Sequence, residues 1–588
     1  MTAAVLALVL LSTTTAATAT TTTTTIPPVQ CTTAFTDVSA ADFVARLNPG
    51  WNLGNTLEAS PDEGSWNNAK VTPPVFETVR KSGFNGVRIP VTYADHYVGG
   101  SPDWAINATW LQRVSDVVDM ATAQGFYVVT NMHHDSWKWA DVTQSDANLT
   151  MIHEKFYASW LQIARTLACK PSTVALEPIN EPPATTPEHG EQINILNQLF
   201  LKALADAGGH NARRVVTLVG GGEDGQKTAE WFKRPTANTT NPWAIQYHYY
   251  SPYNFIFSAW GKSIWGSADE EAALVADLSA VRGNFSDVPL LMGEFSASQV
   301  NCEASARWRY TDLLVKTARE LNTSIMLWDN GLDNLDRPAG KWRDPTSLAL
   351  ILQSTTMPPP KNSLPLGTTN DSATTQSSSA YIFQRVGEPT TAQALPFLFN
   401  GNAVTSIVTS DSKLLSPTAD YAVNSSHILF SASFLGGYLA PNGTAGRKAN
   451  LTVNFSQGVS IPIEIVQWDT PVLASTTSVA TAASAASDLA IPITYKGLPK
   501  LAAVRMANNT GGYLIDTWTQ WLGPLQQGRV TYSNQYNFDD THVILTASAL
   551  GEVVTSLEPA VVTFEFYPRV PGNAVNYTLT VESKSIFV

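Results

Sequence analysis

From Phe43 onward, short apolar runs alternate with stretches in which apolar residues recur every three or four positions. Short runs bounded by turn formers read as buried strands, and the longer period reads as helices with one apolar face. Eight strands are predicted, over 50–55, 86–90, 127–133, 173–180, 214–219, 244–248, 289–294 and 325–328. Between them, 111–124 places Val114, Val117, Val118 and Ala121 at helical spacing before Gly125, and 193–207 places Leu196, Leu199, Phe200 and Leu204 on one face before Gly208 and Gly209. Strands and helices alternating in this way give a parallel sheet. Eight repeats at intervals of roughly thirty to forty-five residues describe a (β/α)8 barrel, an α/β fold of about 250 residues or more. In such barrels the working side chains come from the C-terminal strand ends, where the βα loops form the mouth. Here polar or aromatic groups end seven of the eight strands: Asn55, Arg88, His133 with His134 and Asp135, Asn180 with Glu181, His248 with Tyr250, Glu294, and Trp328.

Past the barrel the helical period disappears. Residues 357–379, rich in Pro, Ser and Thr, read as a linker, and the segments 397–407, 421–429, 449–455 and 461–466 alternate like strands of an antiparallel sandwich spanning 380–470. A second Ala/Ser/Thr linker over 471–490 leads to another all-β domain over 491–588. At the other end, 1–20 carries the apolar run Val5 to Leu11 and reads as a signal peptide, though without the usual positive residues; 21–36 reads as a Thr-rich spacer, and the barrel domain as 37–356. No other run is long enough to span a bilayer. About a dozen N-x-S/T sequons, among them Asn107, Asn148, Asn238, Asn284, Asn322, Asn424, Asn450 and Asn576, agree with secretion. Three cysteines, Cys31, Cys169 and Cys302, allow one disulfide in any of three pairings, and their wide spacing is wrong for a metal site.

The chain has 588 residues and a net charge of -13, with no basic run, which argues against a nucleic-acid partner. Charged residues make up 14% and aromatic residues 10%, a balance suited to neutral ligands with apolar faces, such as sugars. Glu181 and Glu294, at the ends of strands four and seven, form a candidate acid/base pair. Glycoside hydrolysis needs such a pair, one carboxylic acid to protonate the departing oxygen and one carboxylate to attack the anomeric carbon or activate water. Glu177, four residues before Glu181, faces the same side but deeper, where barrel interiors are packed, and is the weaker candidate. Asp135, Asp329 and Asp333 read as capping or solvated loop carboxylates, and Trp66, Trp137, Trp139, Trp260 and Trp265 as loop aromatics serving either a sugar cleft or packing.

The strand-end motifs GWNLGN (50–55), GVRIP (86–90), NMHHD (131–135), INEP (179–182), HYY (248–250), GEF (293–295) and LWDNG (327–331) together resemble those of glycoside hydrolase family 5, in particular its endo-β-1,4-glucanases and xyloglucanases, over about 37–353. The resemblance implies a retaining double displacement with Glu181 as acid/base and Glu294 as nucleophile. Arg88 would keep Glu294 ionised, and Tyr250 would donate a hydrogen bond to it. The Glu294 charge is expected to raise the pKa of Glu181. By the same resemblance Asn180 would bind the sugar 2-hydroxyl, His133 and His248 would orient substrate and carboxylates, and Trp328 would floor the cleft. His134, Asn55, Trp66 and Trp137 complete the expected substrate-binding set.

In the C-terminal third, LFNGNAVTSI followed by ADYAVNSSHILFSASFL resembles the X2 immunoglobulin-like module, with a spacing role. The last domain, with Tyr513, Trp518 and Trp521 close together, resembles carbohydrate-binding module family 46, and Trp518 is its best candidate for extending the cleft. The expectation is a secreted retaining endo-β-1,4-glucanase acting on cellulose, mixed-linkage glucan or xyloglucan, with no cofactor, no metal, no membrane contact and a monomeric state. The alternatives are a family 5 mannanase and a non-catalytic glycan-binding wall protein.

Overall fold

The computed structural model describes residues 27–236, 239–300, 302–356 and 358–581. The expected signal peptide, residues 21–26 of the Thr-rich spacer and the sequon at Asn238 lie outside the described residues.

Eight parallel strands close into a barrel in sequential order: β1 (Gly50–Asn52), β2 (Gly86–Ile89), β3 (Tyr127–Asn131), β4 (Val174–Glu177), β5 (Val216–Asp224), β6 (Trp243–Tyr249), β7 (Leu290–Phe295) and β8 (Thr323–Leu327). The register sets Asn52 beside Arg88, Asn131 beside Glu177, and His248 beside Glu294, so polar residues from neighbouring strands gather at one level near the mouth. The crossover helices form where the apolar period predicts them. Ala108–Ala123 is capped by the Asn107 side chain and buries Trp110, Val114, Val117, Val118 and Ala121, and Pro187–Ala207 is capped by Thr186 and ends at Gly208. A short helix, Ala40–Leu47, plugs the barrel floor, packing Phe43 and Leu47 on Val129, Ala175, Leu291 and Met326.

Residues 27–36 correct the spacer reading. They lie against the barrel, where Val29 pairs with Gly208, Phe35 stacks on His210 at 4.7 Å, and Cys31 forms the disulfide with Cys169; Cys302 is free and buried.

Two β-sandwiches follow. In the first, one sheet orders 364–365, 393–398, 427–430 and 421–423, and the other orders 381–385, 461–468, 446–455 and 404–409. In the second, the sheets order 472–473, 489–494, 542–545 and 536–538, and 477–480, 574–581, 560–566 and 501–508. These orders are identical strand for strand, and the sequence repeats with them at an offset of 115 positions. Tyr421, His427, Ser431, Ala432, Ser433, Leu435 and Gly436 correspond to Tyr536, His542, Thr546, Ala547, Ser548, Leu550 and Gly551. Local bonding repeats as well. Asn424 and Asp539 each accept at 2.7 Å from the backbone N–H of the histidine three residues on, and Ser431 and Thr546 each cap the helix that follows.

The expected linker over 471–490 is therefore corrected, since it holds two strands of the second sandwich and a 3-10 turn. Segment 357–379 is likewise not free. Leu364–Pro365 pairs with the first sandwich, Lys262 of the barrel binds Asp371, and Gln376 exchanges backbone hydrogen bonds of 3.0 and 3.2 Å with Arg569. Small polar composition predicted slack, but Ser378 and Gln376 are buried among partners, and contact rather than composition decides mobility. The first sandwich shares a core with barrel residues Ala304, Trp308 and Leu350, while the second is bonded to the barrel through Arg569 to Gly261 O at 3.1 Å and Lys500 to Cys302 O at 3.1 Å. Among the described residues no helix is long and apolar enough to cross a membrane.

The disulfide closes a sequence separation of 138 residues. Restricting so long a loop in the unfolded chain stabilises by about 2–4 kcal/mol. The Cys169→Ser variant should accordingly show a thermal midpoint several degrees below wild type in calorimetry, matched by wild type in reductant.

Candidate active site

Arg88, fully buried on β2, is the centre of the site. Its Nε and Nη2 donate to both oxygens of Glu177 at 2.8 Å, Nη2 also to Asn180 Oδ1 at 2.7 Å, and Nη1 to Asn52 Oδ1 at 3.0 Å and to Glu294 Oε1. All five guanidinium N–H groups are thereby met, as burial of such a cation requires. Glu177 accepts a further hydrogen bond from Asn131 at 2.7 Å and has no exposed surface, so the carboxylate at the end of β4 anchors Arg88.

Glu181 lies four residues further on, past a turn tied down by Trp160 Nε1 to Pro178 O at 2.8 Å. Its φ of 40° is in the left-handed region, a strained setting for a side chain this long, and its N–H is held by Glu223 Oε2 at 2.9 Å. Glu294 sits on β7 itself. The preceding Gly293 is required, because a Cβ there would come within 2.7 Å of the Gln246 side chain. Glu294 receives Arg88 on one oxygen and Tyr250 Oη at 3.0 Å on the other. His248 stands between the two acids, with Nδ1 2.7 Å from Glu181 Oε1 and 3.7 Å from Glu294 Oε2. Oxygens of Glu181 and Glu294 lie within 4.8 Å of each other and of His248. Retaining glycosidases need carboxyl groups about 5–5.5 Å apart, whereas inverting ones leave about 6.5–9.5 Å for a water.

Burial acts to lower the His248 pKa, but Glu223, Glu294 and Glu181 more than offset it and raise the pKa to about 9. An imidazolium has no lone pair to offer, so the cluster suits hydrogen bonding better than an ion. The expected shift of Glu181 is reversed. Burial raises its carboxyl, yet the His248 hydrogen bond and charge, with Arg88 and His134 beyond, bring it below the ordinary value. Glu294 is the raised member, by burial first, with the Glu181 charge adding and His248 and Arg88 opposing. The reason is geometric: the histidine cation is an ångström closer to Glu181 than to Glu294. Burial and the two carboxylates hold Tyr250 protonated and able to donate.

A cavity of about 790 Å³ opens over this cluster, lined by His133, His134, Trp137, Asn180, Glu181, Tyr250, Trp260, Glu294 and Trp328, and on its far wall by Asp516 and 531–534 of the last domain. Trp328 and His133 stack in parallel at 6.0 Å. Asn180, with Oδ1 committed to Arg88, keeps its NH2 as the end able to donate. His134 binds Glu58 O through Nδ1 and lies between Trp66 and Trp137; burial holds its pKa down to about 4. Trp66 is exposed beside His134.

Asn55 is not brought into the cavity. Its φ of 52° turns it to Asn67, at 2.8 Å. Trp265 is core, and Trp139 packs on Lys155 and Asp135, whereas Trp260 lines the cleft, donates to Asp516 at 2.8 Å and meets Trp518 edge-on at 4.5 Å. Asp135 and Asp329 cap backbone N–H groups.

Sequence reasoning missed Glu223. It ended strand five at Val219, but β5 runs on through Gly220–Gly222 to Asp224, with a bulge between Val219 and Asp224 that throws Glu223 inward under His248. The one strand assigned no polar end was the available signal.

Residues 50–334 match the family model described as cellulase (glycosyl hydrolase family 5), and 376–465 match carbohydrate binding domain X2. The chain is 27% identical over 574 residues to endoglucanase B of Paenibacillus lautus, covering 94% of each. It is 30% identical over 342 residues to endoglucanase A of Paenibacillus barcinonensis, covering 50% of this chain and 84% of that protein. Among solved structures, a tri-modular subfamily 4 endo-β-1,4-glucanase from Bacillus licheniformis, complexed with cellotetraose, superposes with a TM-score of 0.80 at 30% identity, covering 93% of this chain and 100% of that one.

Removing one partner of a buried ion pair strands the other charge, at about 3–5 kcal/mol. Glu177→Ala is thus expected to lower the denaturation midpoint strongly, whereas Glu181→Ala, whose side chain is 28% exposed, should stay near wild type. Denaturant titration of both variants compares them directly.

Proposed function

Because the chain belongs to glycosyl hydrolase family 5, we propose that it is a secreted, monomeric, retaining endo-β-1,4-glucanase, with Glu294 as nucleophile and Glu181 as acid/base. The observation that carries this reading is the pair of carboxylates within 4.8 Å across an open, aromatic-lined cleft. Glu294, oriented by Arg88 and Tyr250, attacks the anomeric carbon while Glu181 protonates the departing oxygen; water, deprotonated by Glu181, then releases the sugar from Glu294. The Asn180 amide donates to the 2-hydroxyl as oxocarbenium character develops, and Trp328 floors the central subsite. Secretion is supported by the disulfide and by the exposed asparagines of the sequons at 107, 148, 284, 322, 424, 450 and 576.

The second sandwich belongs to the cleft, and the repeat explains how. Between the fourth and fifth strands the first copy has a loop over 410–420, and the second copy has one over 509–535, more than twice as long. That enlarged loop carries Asp516, Trp518 and 531–534 to the barrel mouth, where Asp516 and 531–534 form part of the cleft wall. It extends the surface available to a long or branched glucan.

Glu181→Ala and Glu294→Ala should each lose roughly 10²–10⁴-fold or more in turnover. Azide should rescue Glu294→Ala to the inverted glycosyl azide and Glu181→Ala to the retained one, as read by NMR of the product; the opposite pattern would exchange the two roles.

Reducing ends should be released from carboxymethyl cellulose, barley glucan and xyloglucan faster than from mannan. Trp518→Ala should slow polymer hydrolysis severalfold and leave cellotetraose cleavage nearly unchanged. Four intact polymers in the wild-type assay would end the enzyme reading.

A further inference from the structure

We propose that Glu223 is a positioning residue for the acid step: it holds a proton on His248 and fixes the backbone from which Glu181 reaches the sugar. The inference rests on the reading of Glu181 as acid/base.

Glu223 is fully buried. Its Oε2 accepts the Glu181 N–H at 2.9 Å and lies 3.2 Å from His248 Nε2, and its Oε1 accepts from Gln246 Nε2 at 3.0 Å. Burial raises the Glu223 pKa to about 8, with His248 and Arg88 opposing, but both oxygens face N–H groups and no acceptor, and His248, raised to about 9, holds the proton of the pair, so Glu223 is the carboxylate partner of an imidazolium. Glu223 and Glu181 both have positive φ, at 47° and 40°, so the bond between them joins two strained backbones and stabilises each.

The groups facing His248 are Glu181 from the end of β4, Glu223 from β5 and Glu294 from β7. Arg88, Glu177 and His133 lie around them. Of the three facing carboxylates, Glu181 and Glu294 change charge or form a bond during the reaction that Glu181 and Glu294 perform. Glu223 takes no part in either change and remains a constant negative charge behind the imidazole. The His248 Nδ1 proton is thereby kept across a 2.7 Å bond from Glu181 Oε1. Transfer of that proton from Nδ1 to Oε1 leaves a neutral imidazole and a carboxylic acid, and the acid can then protonate the glycosidic oxygen.

Removing the Glu223 charge weakens the hold of the His248/Glu181 pair on its proton, so the alkaline limb of kcat/KM must move to lower pH. An opposite charge this near is worth about one to three pH units. The test is the pH profile of kcat/KM on barley glucan for wild type, E223Q, E223D and E223A, with thermal midpoints recorded for each. The expected result is a limb about one unit or more lower in E223Q and near wild type in E223D, which keeps the charge. Glu223 also borders a cavity of about 310 Å³ that reaches Glu181 and His248, so formate added to E223A should fill the gap and move the limb back up.

An unmoved limb in E223Q with a uniform loss at every pH would overturn the proposal and leave a structural role. So would an E223A enzyme that formate does not shift, including the case where E223Q fails to fold. Inactive wild type would instead overturn the enzymatic reading itself.

Discussion

A guanidinium without exposed surface is costly to bury, and this fold accepts that cost at Arg88 because every N–H finds an oxygen. Three strands supply those oxygens or stand next to the residue that does: Asn52 on β1, Glu177 and the following Asn180 from β4, and Glu294 on β7, around Arg88 on β2. The barrel cannot close with these strands in another register and keep the cation paired. One interaction therefore fixes both the fold's centre and the direction of the Glu294 carboxylate, and a lysine, with one point of charge in place of a planar fork, could not make the same five bonds.

Around that centre the ionisable groups are unequal in number. Among the described residues, Glu177, Glu181, Glu223 and Glu294 form ion pairs with Arg88 and His248 alone. A buried excess of negative charge retains protons, which agrees with the upward direction found for Glu294, Glu223 and His248. Glycoside cleavage needs one proton available beside one ionised carboxylate, and the shortage of cations provides that supply near neutrality.

Much of this was legible in the sequence. The two periods gave all eight barrel strands, and the rule that function sits at strand ends gathered Arg88, Asn180, Glu181, His248, Tyr250 and Glu294 before any coordinate. What escaped did so for physical reasons. Glu223 follows three glycines that interrupt the apolar run, so β5 looked finished too early. Asn55 sits at a strand end like the others, but one left-handed residue rotates it out of the mouth, and no pattern of residue types encodes that rotation. Trp265 and Trp260, five positions apart in one loop, divide between core and cleft, a choice made by packing. The pKa order of the two acids depended on which of them His248 approaches, a difference of an ångström that spacing cannot report. The relation between the two sandwiches was written in the residues and needed only a comparison of the C-terminal third with itself.

That relation also bears on how such an architecture could arise and diverge. When a unit is present twice, selection on the scaffold is satisfied by whichever copy bridges to the enzyme, here the one sharing a core with Trp308 and Leu350. Its sibling is then at liberty to accumulate insertions at any connection that does not disturb the sheets. The lengthened connection between Asn508 and Tyr536 has that character: the strand order on either side matches that of the first copy, and the difference is confined to the stretch that reaches the cleft.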